Sequence, residues 1–492
     1  MGTTTYQLSS MKQLVLFLLL FFPLLATAQD CDCASNFEWT KKTFEENDAG
    51  FAYVVDEKGQ QAYEDHSRAY AEKVKDIEDL NECMQTIYEF LTWFRSGHLS
   101  IQPVNRQAGQ SGGDQPSEEE IRKQFADWEK LDVDVADFKA YLETKKEHDY
   151  EGIWINGIYK IGIKKVGEDY LGFIIAADGV YWKKGQIKLR INEDHSSTYY
   201  MRDHSGENFE SAEMLGNNYL EMGFITLERT YPDLDPDPTV ENYFKAISAD
   251  DPYFEKIDAQ TTLLRIPRFW GSEKWKIDSV INANRDVILK TPNLIVDLRN
   301  NGGGSDGSFQ ELLPILYTNP IRTVGVELLS TPLNNQRMLD FINKEEYGFD
   351  EAGKKWAQQA YDKLSERVGE FVSLNPYPVS VTSFDTIYEY PKNIGIIINE
   401  NNGSTTEQFL LAAKQSKKVK LFGTTTVGVL DISNMYNVPS PCNEFLLGYS
   451  LSKSMRIPEM TIDDKGIQPD YYIDKFIPKY EWVKYVTDVL NE

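Results

Sequence analysis

The chain has 492 residues, 41% of them hydrophobic and 13% aromatic, with a formal net charge of −26. That length allows two or three domains with full cores, and no low-complexity segment or repeat interrupts it. The acidic balance argues against a nucleic-acid partner, because phosphate backbones recruit Lys and Arg; a solvated acidic surface accounts for it.

Lys12 precedes an apolar run, Leu14 to Leu25, which ends at Ala26-Thr27-Ala28. The run is short for a bilayer span and closes on a small-x-small cleavage signal. Residues 1–28 therefore read as a secretory signal peptide, with Met11 as the working start and a mature chain from near Gln29. Cys31 does not follow the pattern of a lipidation site, and no later segment is apolar for long enough to span a membrane. In an oxidising compartment Cys31, Cys33, Cys83 and Cys442 allow one or two disulfides, with three connectivities that sequence does not rank. A zinc site is the weaker reading, since only Cys31 and Cys33 lie close together and no histidine is near them.

Residues 29–146 form the first predicted unit, an N-terminal helical region. Tyr63, Tyr70, Val74, Ile77 and Leu80, then Met84, Ile87, Tyr88 and Leu91, recur at helical spacing. Gln107 to Gln115 reads as a loop, and helical periodicity resumes through Ile121, Phe125, Trp128, Leu131, Phe138 and Leu142. Residues 150–232 form the second unit. Short alternating strands, Tyr159–Lys164, Tyr170–Ile175 and Gln186–Ile191, predict a small antiparallel sheet or barrel. Its aromatic residues (Trp154, Tyr159, Tyr170, Phe173, Tyr181, Trp182) read as core rather than as a ligand box, and it is either a substrate-recognition module or a spacer. Pro232 to Pro238 is a plausible linker. Residues 255–476 form the third unit, in which apolar strands (Thr262–Ile266, Leu294–Leu298, Ile394–Ile398, Val419–Phe422) alternate with helices, interrupted by a helical insertion at about 334–372.

Two strand ends carry the chemistry. Leu294-Ile-Val-Asp-Leu-Arg-Asn-Asn-Gly-Gly-Gly-Ser305 passes from a buried strand into bare backbone, which exposes N–H groups able to hold an anion. Neither GxGxxG nor a closing Gly-Lys-Ser/Thr is present, so both nucleotide fingerprints fail. The remaining readings are a tight turn needing positive φ and a cradle for the oxyanion of acyl transfer. Ile394-Gly-Ile-Ile-Ile-Asn-Glu-Asn-Asn-Gly-Ser404-Thr-Thr-Glu407 repeats the strand–turn–helix pattern. There Ser404 is either half of a capping box with Glu407 or a nucleophile at a helix N-terminus.

Taken together, these stretches resemble the C-terminal-processing (tail-specific) and tricorn-type serine peptidase family. The matching parts are Asp297 to Gly304, Ser404 to Glu407, Gly423-Thr-Thr-Thr-Val-Gly428 and Gly466-Ile-Gln-Pro-Asp470, within about Ile257 to Ile473. The resemblance implies an α+β or α/β multidomain fold with a protease–crotonase-like core of ββα units. It also implies an acyl-enzyme mechanism on peptide or protein substrates, without metal or organic cofactor. The Ser–Lys members carry lysine directly after the last glycine, whereas Val429 stands here, so this chain resembles a lysine-less branch.

A serine hydroxyl still needs a group to take its proton. Phe94-Arg-Ser-Gly-His98 looks like the histidine element of the tricorn-type members, which makes His98 the expected general base. The other four histidines lie in polar or acidic surroundings that predict surface positions. The resemblance places the imidazole's orienting carboxylate at Asp463, with Asp464 or Glu459 as alternatives. The expected oxyanion donors are the N–H groups of Gly303 or Gly304 together with Thr405. The alternatives are a binding protein of the same ancestry that has lost catalysis and a secreted scaffold whose motifs only hold turns. No PDZ-like Gly-Leu-Gly-Phe loop is found.

Overall fold

The computed structural model describes residues 31–104 and 117–492; the expected leader at 1–28 and the loop at 107–115 lie outside the described residues. Among the described residues four α-helices come first: Cys33–Asn47, Phe51–Lys58, Gln60–Lys73 and Leu80–Thr92. Asp32 and Asp79 cap two of them by accepting from Ser35 and Glu82 N–H, which satisfies donors the helices leave free. Their buried stripe (Phe37, Phe44, Ile87, Phe90, Leu91) does not close on itself. It shares one core with Tyr436, Val438, Phe445, Leu447 and Tyr449 of the hairpin Ile432–Pro439 and Phe445–Ser454. Strand Ser100–Pro103 then pairs antiparallel with Phe445–Ser454, Ser100 opposite Gly448. Disulfides Cys33–Cys83 and Cys31–Cys442 staple the same layer, the second to the far end of the chain.

Helices Glu118–Gln124 and Val135–Glu143 leave that layer. Periodicity groups them with the N-terminal region, but Phe138 and Leu142 pack against Ile153, Phe173 and Ile187 of the second unit. That unit is a nine-stranded antiparallel sheet whose ordered path runs from Gly206–Phe209 at one edge to Glu213–Leu215 at the other. Trp154, Phe173 and Trp182 are buried in it, and Tyr159, Tyr170 and Tyr181 are half-buried. His204 departs from its expected surface position. It is buried between the ring of Trp182 at 3.8 Å and that of Phe125 at 4.0 Å, because a neutral imidazole stacks as an aromatic.

The third unit is built on a six-stranded sheet in the order Tyr253–Lys256, Thr261–Arg265, Asn293–Asp297, Asn393–Ile398, Val419–Gly423, Tyr471–Tyr472; only the first strand runs antiparallel. Alternate residues face opposite sides, as the strand period requires. Leu294, Val296, Ile394, Ile396 and Leu421 meet helices Lys274–Ile288 and Thr405–Ala413. Leu263, Ile295, Ile397 and Phe422 meet the C-terminal helix Trp482–Asn491. A sheet covered on both faces needs apolar strands throughout, which is what the sequence shows. Helices Pro332–Asn343 and Glu351–Ser365 form a side cluster of their own.

Candidate active site

Strands Asn293–Asp297 and Asn393–Ile398 are parallel neighbours, so the turns after them emerge side by side. Asparagines sew the two turns together. Asn402 Nδ2 donates to the carbonyls of Leu298 and Asn301, while its Oδ1 accepts from Asn399 N–H. Asn399 Nδ2 donates to Asn300 Oδ1, and Asn300 N–H donates back to Asn399 Oδ1. Below them Asp297 is fully buried; burial alone would raise its carboxyl, but the guanidinium groups of Arg299 and Arg265 hold it below the usual range.

The glycines answer a steric demand. A Cβ on Gly303 would stand 3.0 Å from Ser404 Cβ, and one on Gly304 only 2.3 Å from the Phe269 carbonyl oxygen. Both residues have positive φ, 107° and 147°, so bare backbone lies directly against the serine. The Gly303 N–H, one of the two glycine donors proposed for an oxyanion, already donates to Asn301 Oδ1 at 3.0 Å. Among the described residues the Gly304 and Thr405 N–H groups have no backbone or side-chain acceptor.

Ser404 sits at φ 55° on the sharp turn between strand and helix, and His98 also sits at φ 55°. Such backbone strain in non-glycine residues collects where a side chain must be aimed. His98 Nε2 lies 3.0 Å from Ser404 Oγ, and its Nδ1 lies 2.7 Å from the Ile432 carbonyl oxygen. A carbonyl only accepts, so Nδ1 carries the proton and Nε2 presents its lone pair to the hydroxyl. Burial holds the imidazole below its ordinary pKa, and the nearby Arg95 charge adds to this against the Ile432 carbonyl and Asp48.

Arg95 anchors the turn that carries His98. It forms a buried two-pronged pair with Asp48 at 2.8 and 2.6 Å and donates to the His98 carbonyl at 3.1 Å.

Asp463 does not touch the ring. Its two oxygens accept from Asp431 and Ile432 N–H at 2.6 and 3.1 Å. Asp431 returns the grip by accepting from Ile462 and Asp463 N–H, and it pairs with Arg456. The place expected for a carboxylate is therefore filled by the Ile432 carbonyl, and Asp463 positions the peptide that bears it. Burial, with the neighbouring charges of Asp431 and Glu407, pushes the Asp463 carboxyl up to about 7 against its two N–H donors. Asp464 accepts from Ser96 Oγ, and Glu459 is exposed.

Glu407 does more than cap a helix. It is fully buried and accepts from Ser404 N–H, Thr426 hydroxyl, Gly428 N–H and Val429 N–H. Burial pushes its carboxyl up while those four donors favour the charged form. Val429 follows directly on Gly428. Its methyls lie 2.4 Å from an ideal Cβ on Gly97 and 2.8 Å from one on Gly403, so it fills the gap between the residues preceding His98 and Ser404. Among the described residues no group of three or more His, Cys, Asp or Glu side chains is arranged to hold a metal ion.

Residues 260–473 match the family model described as peptidase family S41. The matched segment contains Ser404, the glycine stretch, Glu407 and Asp463, and His98 lies outside it. A probable CtpA-like serine protease of Staphylococcus aureus (strain N315) is 27% identical over 207 residues, 42% of this chain and 31% of the relative. The chain thus matches less than a third of that relative's length. Among solved structures, a mutant of CPAF aligns over 93% of this chain and 96% of its own, with TM-score 0.51 and 12% identity. The photosystem II D1 C-terminal processing protease aligns over 94% and 97%, with TM-score 0.38 and 11% identity. The likeness to CPAF is one of fold: N-terminal helices, an antiparallel half-barrel and a core on a mixed, mainly parallel sheet.

Proposed function

We propose that the chain is a secreted serine endopeptidase of the lysine-less kind, in which Ser404 is the nucleophile and His98 the general base. The observation that carries this reading is the 3.0 Å approach of His98 Nε2 to Ser404 Oγ, across 306 positions of sequence. The imidazole accepts the hydroxyl proton as Oγ bonds to the scissile carbonyl carbon. The carbonyl π electrons move to oxygen, where the Gly304 and Thr405 N–H groups stabilise the charge. Collapse of the tetrahedral adduct breaks the C–N bond, and the imidazolium protonates the leaving amine. Water, deprotonated by His98, then releases the acid and restores Ser404. Ile432 holds the imidazole in the required tautomer. The two disulfides support an exported chain, since such bonds persist in oxidising compartments.

A fluorophosphonate probe tests the assignment on the full chain. Labelling of the native protein, lost in both Ser404→Ala and His98→Ala, is the expected result. Absence of labelling in the folded native protein overturns it and favours a binding protein of the same fold.

A further inference from the structure

The turn that ends in Ser404 has a second face. Asn300, Asn399, Glu400 and Asn401 line a cavity of about 400 Å³ on the side facing the nine-stranded sheet, beginning three residues before the nucleophile. Glu221, Gly223, Tyr243, Glu400, Lys479 and Trp482 are common to this cavity and to one of about 600 Å³, so the two form one cleft. Its floor is the carboxyl edge of the parallel strands, after Asp297, Ile398, Gly423 and Tyr472. Open α/β sheets bind ligands at that edge, and the volume suits a short peptide stretch.

The walls state the chemistry. Glu213, Glu221, Glu400 and Asp474 face the space against Lys475 and Lys479. The Arg299 charge, at the same edge, is already paired with Asp297. Burial raises the Glu221 carboxyl although the nearby Lys479 charge opposes this, so a further cation there gains more than one in open water. The rings of Phe224 and Tyr472 border the cleft at 69% and 63% exposure, open to the stems and charges of long cationic residues.

We infer that this cleft is a docking site for a Lys- or Arg-bearing stretch of the polypeptide substrate, lying outside the bond that Ser404 attacks. The inference rests on the peptidase reading for the identity of the ligand, but its test does not use catalysis. Full-length protein carrying Ser404→Ala is titrated into fluorescent twelve-residue peptides, one lysine-rich, one glutamate-rich and one of Gly and Ser, with binding read by anisotropy. The lysine-rich peptide binds at least tenfold tighter than the other two, and Glu221→Gln with Glu400→Gln removes that preference. The general acidic field is separated by Glu64→Gln with Glu72→Gln on the remote N-terminal helices, which leaves the preference in place. Equal binding of the three peptides overturns the inference, as does equal loss from both double variants. Failure of the fluorophosphonate experiment, by contrast, removes the peptidase reading and leaves a cation-binding cleft standing or falling on this titration.

Discussion

At the scale of single residues, the site depends on atoms that have no room to move. Gly304→Ala drives a Cβ against the Phe269 carbonyl, displacing the N–H proposed to hold the oxyanion. The variant is expected to fold, because the sheet beneath is unchanged, and to lose about 10²–10³-fold in kcat, the usual effect of one such donor. His98→Ala lowers kcat by about 10²–10⁴-fold in the same peptide-cleavage assay. Two groups shape the acidic limb of the pH profile. Activity falls once as Asp463 takes a proton near pH 7, loosening the Ile432 peptide, and again as His98 charges below its ordinary 6.5. In Asp463→Asn only the lower step remains, with KM little changed; a profile that keeps both steps removes Asp463 from the account. The stability sign is opposite. A carboxyl raised from 3.8 to about 7 by folding contributes stability that is lost as pH rises through that window. Ser404 and His98 were legible because the chemistry restricts the residue type. The Ile432 carbonyl was not, since any residue supplies a carbonyl, and Asp463 was read as touching what it only braces.

At the scale of elements, a helical layer and a β-hairpin share one core, and that core positions His98, the proposed general base. Asp48→Ala leaves Arg95 buried without its partner, which is expected to cost about 3–5 kcal/mol in a urea titration. Because Arg95 also holds the His98 carbonyl, the surviving folded protein should lose kcat with little change in KM. Periodicity located both helical stretches but not their partners. Phe138 and Leu142 show the same spacing as Ile87 and Leu91, and nothing in spacing says that the former pair packs on the nine-stranded sheet. The strands after Thr261 were easier, because runs such as Ile394 to Ile398 fit only a sheet buried on both faces.

At the scale of the molecule, the two disulfides act on the same assembly. Cys31–Cys442 joins positions 411 apart and Cys33–Cys83 positions 50 apart. Reduction under native conditions is expected to destabilise the helical layer by about 2–4 kcal/mol per bond, seen in calorimetry as a lower first transition. Peptide cleavage should disappear with that first transition while the parallel sheet is still folded; loss only at a later transition contradicts it. The pairing could not be ranked from sequence, since it depends on a hairpin from the end of the chain folding back onto its beginning.

The strand Phe445–Ser454 pairs with the segment that follows His98 and belongs to the same hairpin as Ile432. Under the proposed assignment the base is therefore synthesised before the nucleophile, and the strand that pairs beside the base comes later than both.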